Sequence, residues 1–293
     1  MRISDATRMD RLVSNTSRLE GKIATVSQRV SSGIALDVPS TDPVQASAYL
    51  RARGNLGRMK GYADAIRDGK GELELAEGSL TQAQDIIARG REIALQAANS
   101  TYSAIDRSQF AAELGQLRDQ LLASANQEGP NGYLFGGSKM DAPPFSAAGI
   151  FQGNGDQRLL EVSPGFTIAT NASGAQAFTA AGGQDVFSLF AQLQTAVTSN
   201  DVNAIATTGK LIADAHQQVS TARGEVGYTM QRIDLADSAQ NMMQILWKQR
   251  QGEASEIDPA QVYSELSALQ TTLTQSVSVA RTQLQTLSVN RFG

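Results

Sequence analysis

Cysteine is missing from this 293-residue chain, so disulfides and thiolate metal sites are excluded and folding is independent of the redox state of the compartment. Histidine occurs once, as His216. A His-pair metal site is therefore impossible, and a Ser-His-Asp triad would hang on that one residue. Its place beside Ala215 on a helical pattern reads as a partly exposed surface position. Aromatic residues make up 5% of the chain, with one Trp, a scarcity that favours long, slender packing over a thick core. No uninterrupted apolar run approaches the roughly 20 residues of a membrane-spanning helix. The stretch Met1 to Leu12 mixes charged and polar residues and lacks the apolar centre of a cleaved secretory signal. If the protein leaves the cell, a route without a cleaved signal is expected. A formal charge of -4 and a pI near 5.2 argue against a nucleic-acid partner.

A catalytic signature is lacking too. Gly132-Tyr133-Leu134-Phe135-Gly136-Gly137-Ser138-Lys139 resembles a phosphate loop only faintly. Its Lys is out of place and no strand-to-helix context surrounds it, so it reads as a turn and strand. Acidic pairs such as Glu72/Glu74 and Glu253/Glu256 are scattered along helical faces, where solvated charge is ordinary. The chain reads as a non-enzyme with no cofactor and no metal.

What is present is helical periodicity, in a chain that is 41% hydrophobic and 18% charged. At the amino end Met9, Leu12, Thr16, Leu19, Ile23, Val26 and Val30 alternate three and four residues apart. That spacing keeps one seam of a helix turned toward another helix. At the carboxyl end Val262, Leu266, Leu269 and Leu273 do the same. After one step of four the stripe resumes with Val277, Ala280, Leu284 and Leu287, an offset that locally changes the winding of a coil. First and last helices that each need a partner suggest a chain built to assemble.

Between the ends, Asp42 caps and Pro43 opens a long helix expected to run to about Ala98. Gly54, Gly57, Gly61, Gly69, Gly71, Gly78 and Gly90 lie within it, and interior glycines weaken a helix enough that a break is expected. Ser103 and Asp106 form a capping box for a third helix. From Tyr133 to Gln184 the periodicity disappears. Arg158 to Val162 and Phe166 to Thr170 flank Ser163-Pro164-Gly165 as a hairpin. Asn171 to Gly183 is close to low complexity, and replacements there are expected to be tolerated. Helical signal returns at Asp185. Ile205, Ile212, Val219, Val226, Ile233, Gln240 and Trp247 then fall seven apart, with mostly small residues three positions after each. That seam would extend roughly 65 Å at 1.5 Å per residue. Trp247 on it reads as core, with an exposed binding hot spot as the alternative.

The expected fold is mainly α: an elongated antiparallel helical bundle or coiled coil with both termini at one end and a small β-containing insertion at the other. Residues 1–40 with 256–293 form a terminal coiled-coil domain, 41–132 with 185–255 a long-helix rod, and 133–184 a small β-rich outer insertion. An isolated pair of terminal helices is marginal, because ordering costs about 1–2 kcal/mol per residue whereas each buried Leu, Ile or Val returns roughly 1.5–3. The terminal domain is accordingly expected to be disordered in the monomer and ordered in an assembly.

Met1-Arg2-Ile3-Ser4, Val30-Ser31-Ser32-Gly33 followed by Pro39-Ser40-Thr41-Asp42-Pro43, and Leu121 to Asn126 leading to Gly132-Tyr133-Leu134-Phe135-Gly136-Gly137 and Pro144-Phe145 form an ordered set. Together with Glu256-Ile257-Asp258 and the Leu-rich helix to Ser288, this set resembles the flagellin-like hook-associated proteins of the bacterial hook–filament junction. The resemblance covers nearly the whole chain. It implies axial helical assembly through paired terminal helices, as a structural adaptor joining hook to filament. It implies as partners copies of the chain itself, a second hook-associated junction protein on the hook side, flagellin on the filament side, and an export chaperone at the carboxyl-terminal region. Nucleic acid and membrane are not among the partners. It also implies an extracellular place in the flagellum, reached by the flagellar type III route. Flagellin itself, the bulk filament subunit, and a non-flagellar coiled-coil scaffold are the alternatives.

Overall fold

The computed structural model describes residues 2–32, 43–99, 102–255 and 259–292, and within the first and last helices the side chains of residues 7, 10–32 and 260–282. The expected stops and caps between Gly33 and Asp42 lie outside these residues. Among the described residues the chain is mainly helical, with two small antiparallel sheets. The helices are α1 (Arg2–Ser32), α2 (Pro43–Ala97), α3 (Ala104–Ala125), α4 (Gly174–Phe178), α5 (Val186–Ser199), α6 (Val202–Ser255) and α7 (Pro259–Phe292). Two compact units emerge, Met1–Gly57 with Gln244–Gly293, and Arg58–Met243.

In the unit Arg58–Met243, α2 is continuous despite its glycines. Two of them have a packing reason. A Cβ at Gly90 would sit 2.7 Å from the Phe190 ring, and one at Gly69 would sit 2.8 Å from Leu160, so the missing side chains let α5 and a hairpin close in. Polar links tie α2 to α6. Lys70 pairs with Asp234 at 2.6 Å and Arg223 with Glu77 at 2.6 Å, while Arg223 also donates to Gln84 at 3.1 Å. Because one partner's number rises along the chain as the other's falls, the two helices are antiparallel. The Asp234 hydrogen bond holds the Lys70 ammonium above its ordinary pKa.

Local signals start and stop the shorter helices. Ser103 Oγ accepts from Asp106 N at 3.3 Å while Asp106 Oδ2 accepts from Ser103 N at 2.9 Å, the reciprocal capping box at the start of α3. The Ser103 hydroxyl, which donates to Asp106 Oδ2 at 2.7 Å, and then the Ser103 backbone N–H hold the Asp106 carboxyl below its ordinary value of 3.8. Asp185 Oδ1 accepts from Ser188 N to begin α5, and Asn200 at φ 55 ends it.

Strands β1 (Glu128–Gly129) and β2 (Gly132–Tyr133) form a minimal hairpin. β3 (Leu159–Ser163) and β4 (Phe166–Ala169) form a second, with Leu160 opposite Ile168 and Gly165 at φ 74 in its turn. One buried ion pair holds this insertion to α2: Arg158 meets Glu72 at 3.0 Å, with the two side chains 15% and 7% exposed. Asn131 Nδ2 donates to the other Glu72 oxygen at 2.6 Å. The scarce aromatics are concentrated here. Phe135, Phe145, Phe151, Phe178 and Phe187 pack with ring centroids 5.2–6.1 Å apart, largely edge-on or tilted. Slender packing is therefore the rule for the long helices and not for the insertion.

The stretch Asn171 to Gly183 corrects an expectation. It contains α4 and a 3-10 turn over Ala180–Gly182, and Ala177 and Phe178 are fully buried. Gln218 Nε2 on α6 donates to the carbonyls of Ala177, Thr179 and Gln184 at 3.1 Å each. Phe178 is 0% exposed, so replacement there is expected to destabilise: the segment looks featureless because it packs through one aromatic and through its backbone, neither of which produces a period.

Candidate assembly interface

In the unit Met1–Gly57 with Gln244–Gly293, α1 and α7 pack against each other. Val26 is buried, while Leu12, Thr16, Leu19, Ile23 and Val30 are half-buried. On α7 Val262 is buried, and Leu266, Leu269, Leu273, Val277 and Ala280 are half-buried. The side chains of Met9, Leu284 and Leu287 lie outside the described residues. Each stripe thus meets one partner and keeps part of its apolar surface open. Full burial of such a side chain stabilises by about 1.5–3 kcal/mol, and half-burial yields a corresponding fraction.

The polar faces flanking the stripes are largely satisfied within their own helices. Thr25, Thr271, Thr272, Thr274 and Thr282, and Thr16 within the α1 stripe itself, donate to the carbonyl four residues back at 2.8–3.0 Å. These hydroxyls are spent as donors, and what they offer a neighbour is acceptor oxygen. In the same unit Trp247 is half-buried and not fully in the core, with the Arg250 guanidinium 4.9 Å from its ring centre. It lines a groove of about 470 Å³ with Ala48, Ala52 and Ala254.

The seam of the other unit differs. Ile205, Ile212, Val219 and Ile233 are 0% exposed and Val226 is 3% exposed. They belong to one continuous core with Leu73, Leu80 and Ile87 of α2 and with the Phe residues of the insertion. Gln240, next in the heptad series, is buried as well. Its Nε2 donates to Val162 O at 2.5 Å, and its Oε1 has no partner. Neither this contact nor the Glu72–Arg158 pair is foreseeable from periodicity. The clue available for Gln240 was an amide at a heptad position that calls for an apolar residue, whereas Glu72, expected as solvated charge, is 6% exposed and off the apolar stripe.

His216 is half-buried on α6. Among the described residues no group of three or more His, Asp or Glu could hold a metal ion, and no helix is long and apolar enough to cross a membrane.

Residues 3–139 match the bacterial flagellin N-terminal helical region. The chain is similar to flagellar hook-associated protein 3 of Salmonella typhimurium, at 28% identity over 262 residues that span 81% of this chain and 83% of that protein. It is similar to the protein of that name from Escherichia coli at 25% identity over 286 residues, 89% and 90% of the two chains. A flagellar filament core protein of Treponema maltophilum shares 26% identity, covering 76% of this chain and 73% of the other. Among solved structures, FlgL of Bacillus cereus aligns at TM-score 0.61 and 20% identity, covering 69% of this chain and 99% of that one. The flagellar junction protein FlgL of Legionella pneumophila aligns at TM-score 0.59 and 16% identity, covering 71% and 100%. These structural likenesses concern the fold.

Proposed function

We propose that this chain, which is similar to flagellar hook-associated protein 3 and matches the flagellin N-terminal helical region, is a flagellin-like hook-associated protein and the structural subunit that joins hook to filament. It assembles axially with copies of itself through the paired helices α1 and α7. The observation that carries this reading is the similarity to hook-associated protein 3 along 81–89% of the chain. The half-open stripes supply the mechanism: neighbouring subunits cover what one α1–α7 pair leaves exposed. The terminal regions 1–40 and 256–293 are the assembling part, unstable alone and ordered by neighbours, while 41–132 with 185–255 forms the rod and 133–184 the outer insertion.

On this reading the chain is no enzyme. A second hook-associated protein contacts it on the hook side and flagellin on the filament side. An export chaperone holds the carboxyl-terminal region before passage through the flagellar type III channel, and the mature site is the extracellular flagellum. Flagellin is the second reading, favoured by the match to filament core proteins, but those share less of this chain than the hook-associated proteins do.

The test is deletion of the gene followed by electron microscopy. Hooks without filaments and flagellin in the medium are expected, with restoration by the intact gene. Normal filaments on the deleted strain would refute the junction role, and thousands of copies per appendage would replace it with that of a filament subunit.

A further inference from the structure

Within the unit Arg58–Met243, a groove of about 290 Å³ lies between the β3–β4 hairpin and α6, walled by Val162, Phe166, Leu235, Ala236 and Ala239. Its walls are apolar, and Phe166 and Leu235 are 51% and 71% exposed. Exposed apolar residues continue the face in both directions along α6, with Tyr228 and Met242 seven residues either side of Leu235. This line lies on the opposite side of α6 from the buried Val226–Ile233–Gln240 seam, since two residues advance about 200° around a helix. Two polar features sit in the groove. Gln240 is 5% exposed, and its Oε1 is a buried acceptor without a donor. Arg232 also lines it and forms no ion pair among the described residues. A buried acceptor without a donor is costly, so an occupant that supplies one gains affinity and specificity together. The groove therefore calls for an apolar knob, an N–H or O–H donor and a carboxylate.

The outward face of α2 carries that set. Leu75 is 43% exposed and stands between Gly71 and Gly78, where a Cβ would meet nothing within 4 Å. Unlike Gly69 and Gly90, these two glycines have no neighbour in the space a Cβ would take, as is also the case at Gly54, Gly57 and Gly61. Bare backbone either side of a Leu lets another surface approach closely. Glu74 is an exposed carboxylate that forms no ion pair among the described residues, and the exposed Gln82 amide is an available donor.

We infer that the groove between the β3–β4 hairpin and α6 receives the Gly71–Leu75–Gly78 face of α2 from a second copy of this chain, with Glu74 meeting Arg232 and an amide N–H meeting Gln240 Oε1. The inference rests on the reading of the chain as an assembling subunit and adds a second contact, away from the terminal helices.

The test places a photoreactive benzoylphenylalanine at position 235 of the full chain, in cells lacking the native gene, and irradiates isolated hook–filament appendages. The expected product has twice the mass of the chain, with a crosslinked peptide from residues 71–82. An adduct with another protein, a crosslink elsewhere on a second copy, or no adduct in a chain that has incorporated overturns the inference and leaves the junction reading intact. Failure of the unaltered chain to enter appendages overturns both. A second variant, Gly78→Leu, is expected to match the parent in helical circular dichroism and melting as the purified chain, yet to be depleted at least tenfold from appendages. Normal incorporation of that variant overturns the proposed face.

Discussion

Two seams of similar spacing meet different fates in this molecule. Ile205, Ile212, Val219 and Ile233 are sealed from solvent, whereas Leu12, Leu19, Ile23, Leu266, Leu269 and Leu273 remain half-open. The difference lies in what surrounds each helix. α6 packs within a core that also draws on α2 and the Phe cluster of the insertion, while α1 has α7 as its partner and few sealed positions along its length. A repeat of three and four residues says that a helix has a face to cover, and the number of neighbours decides how much of it is covered.

The largest effect that would sharpen this comparison is loss of assembly. Leu19→Asp or Ile23→Asp should abolish incorporation and motility, because on the proposed assembly a carboxylate would lie in the seam that neighbouring subunits cover. The purified variant should keep the thermal transition of the Arg58–Met243 unit. Assembly that survives such a charge would mean that the terminal stripes are not the interface.

Next come effects on stability. Phe178→Ala should destabilise that unit by about 3–5 kcal/mol, the range for removing a buried aromatic, as read by denaturant unfolding. An effect below about 1 kcal/mol would restore the view of 171–183 as a passive loop. Glu72→Gln should cost about 3–5 kcal/mol by stranding Arg158 in a site where its partner is 7% exposed. Replacing both residues with apolar ones of similar volume should recover most of that loss.

A paired measurement addresses the seams directly. Ile212→Ala should cost about 2–5 kcal/mol, while Leu19→Ala in the isolated chain should cost about 1 kcal/mol or less, because its side chain is only half-buried. Equal costs would erase the distinction between sealed and open seams.

The smallest effect concerns acid. The Asp106 carboxyl is held below its ordinary value of 3.8 by the Ser103 cap, so the folded state binds this proton less readily than the unfolded chain. The cap's contribution is complete above pH 3.8 and is lost as pH falls through the lowered value. Amide exchange at the start of α3 should accelerate in that acid window in the parent and become insensitive to it in Asp106→Asn. Acid-insensitive exchange in the parent would remove the cap from the account.

Particular residues show where sequence reading succeeds. The capping box at Ser103 and Asp106, the hairpin around Ser163-Pro164-Gly165 and the start of α5 at Asp185 are all local. Each rests on interactions between residues a few positions apart, which sequence spacing displays. Phe178, Gln218, Glu72 and Arg158 act across 33 to 86 residues of chain, from Phe145–Phe178 to Glu72–Arg158, and no spacing encodes them. The glycines of α2 fall between these cases. Their helix-weakening composition suggested a break, but packing of α5 and the hairpin at Gly90 and Gly69 supplies what propensity lacks.

By itself the sequence determined that the chain is mainly helical and without thiol chemistry, and that its ends carry apolar stripes, because periodicity and composition are properties of neighbouring positions. The tertiary structure decided which face is sealed and which stays open, where the Phe residues gather, and that Gln240 is left with an unmet acceptor beside an apolar groove. Burial depends on how many elements converge on a side chain, and that convergence exists only after the chain has folded.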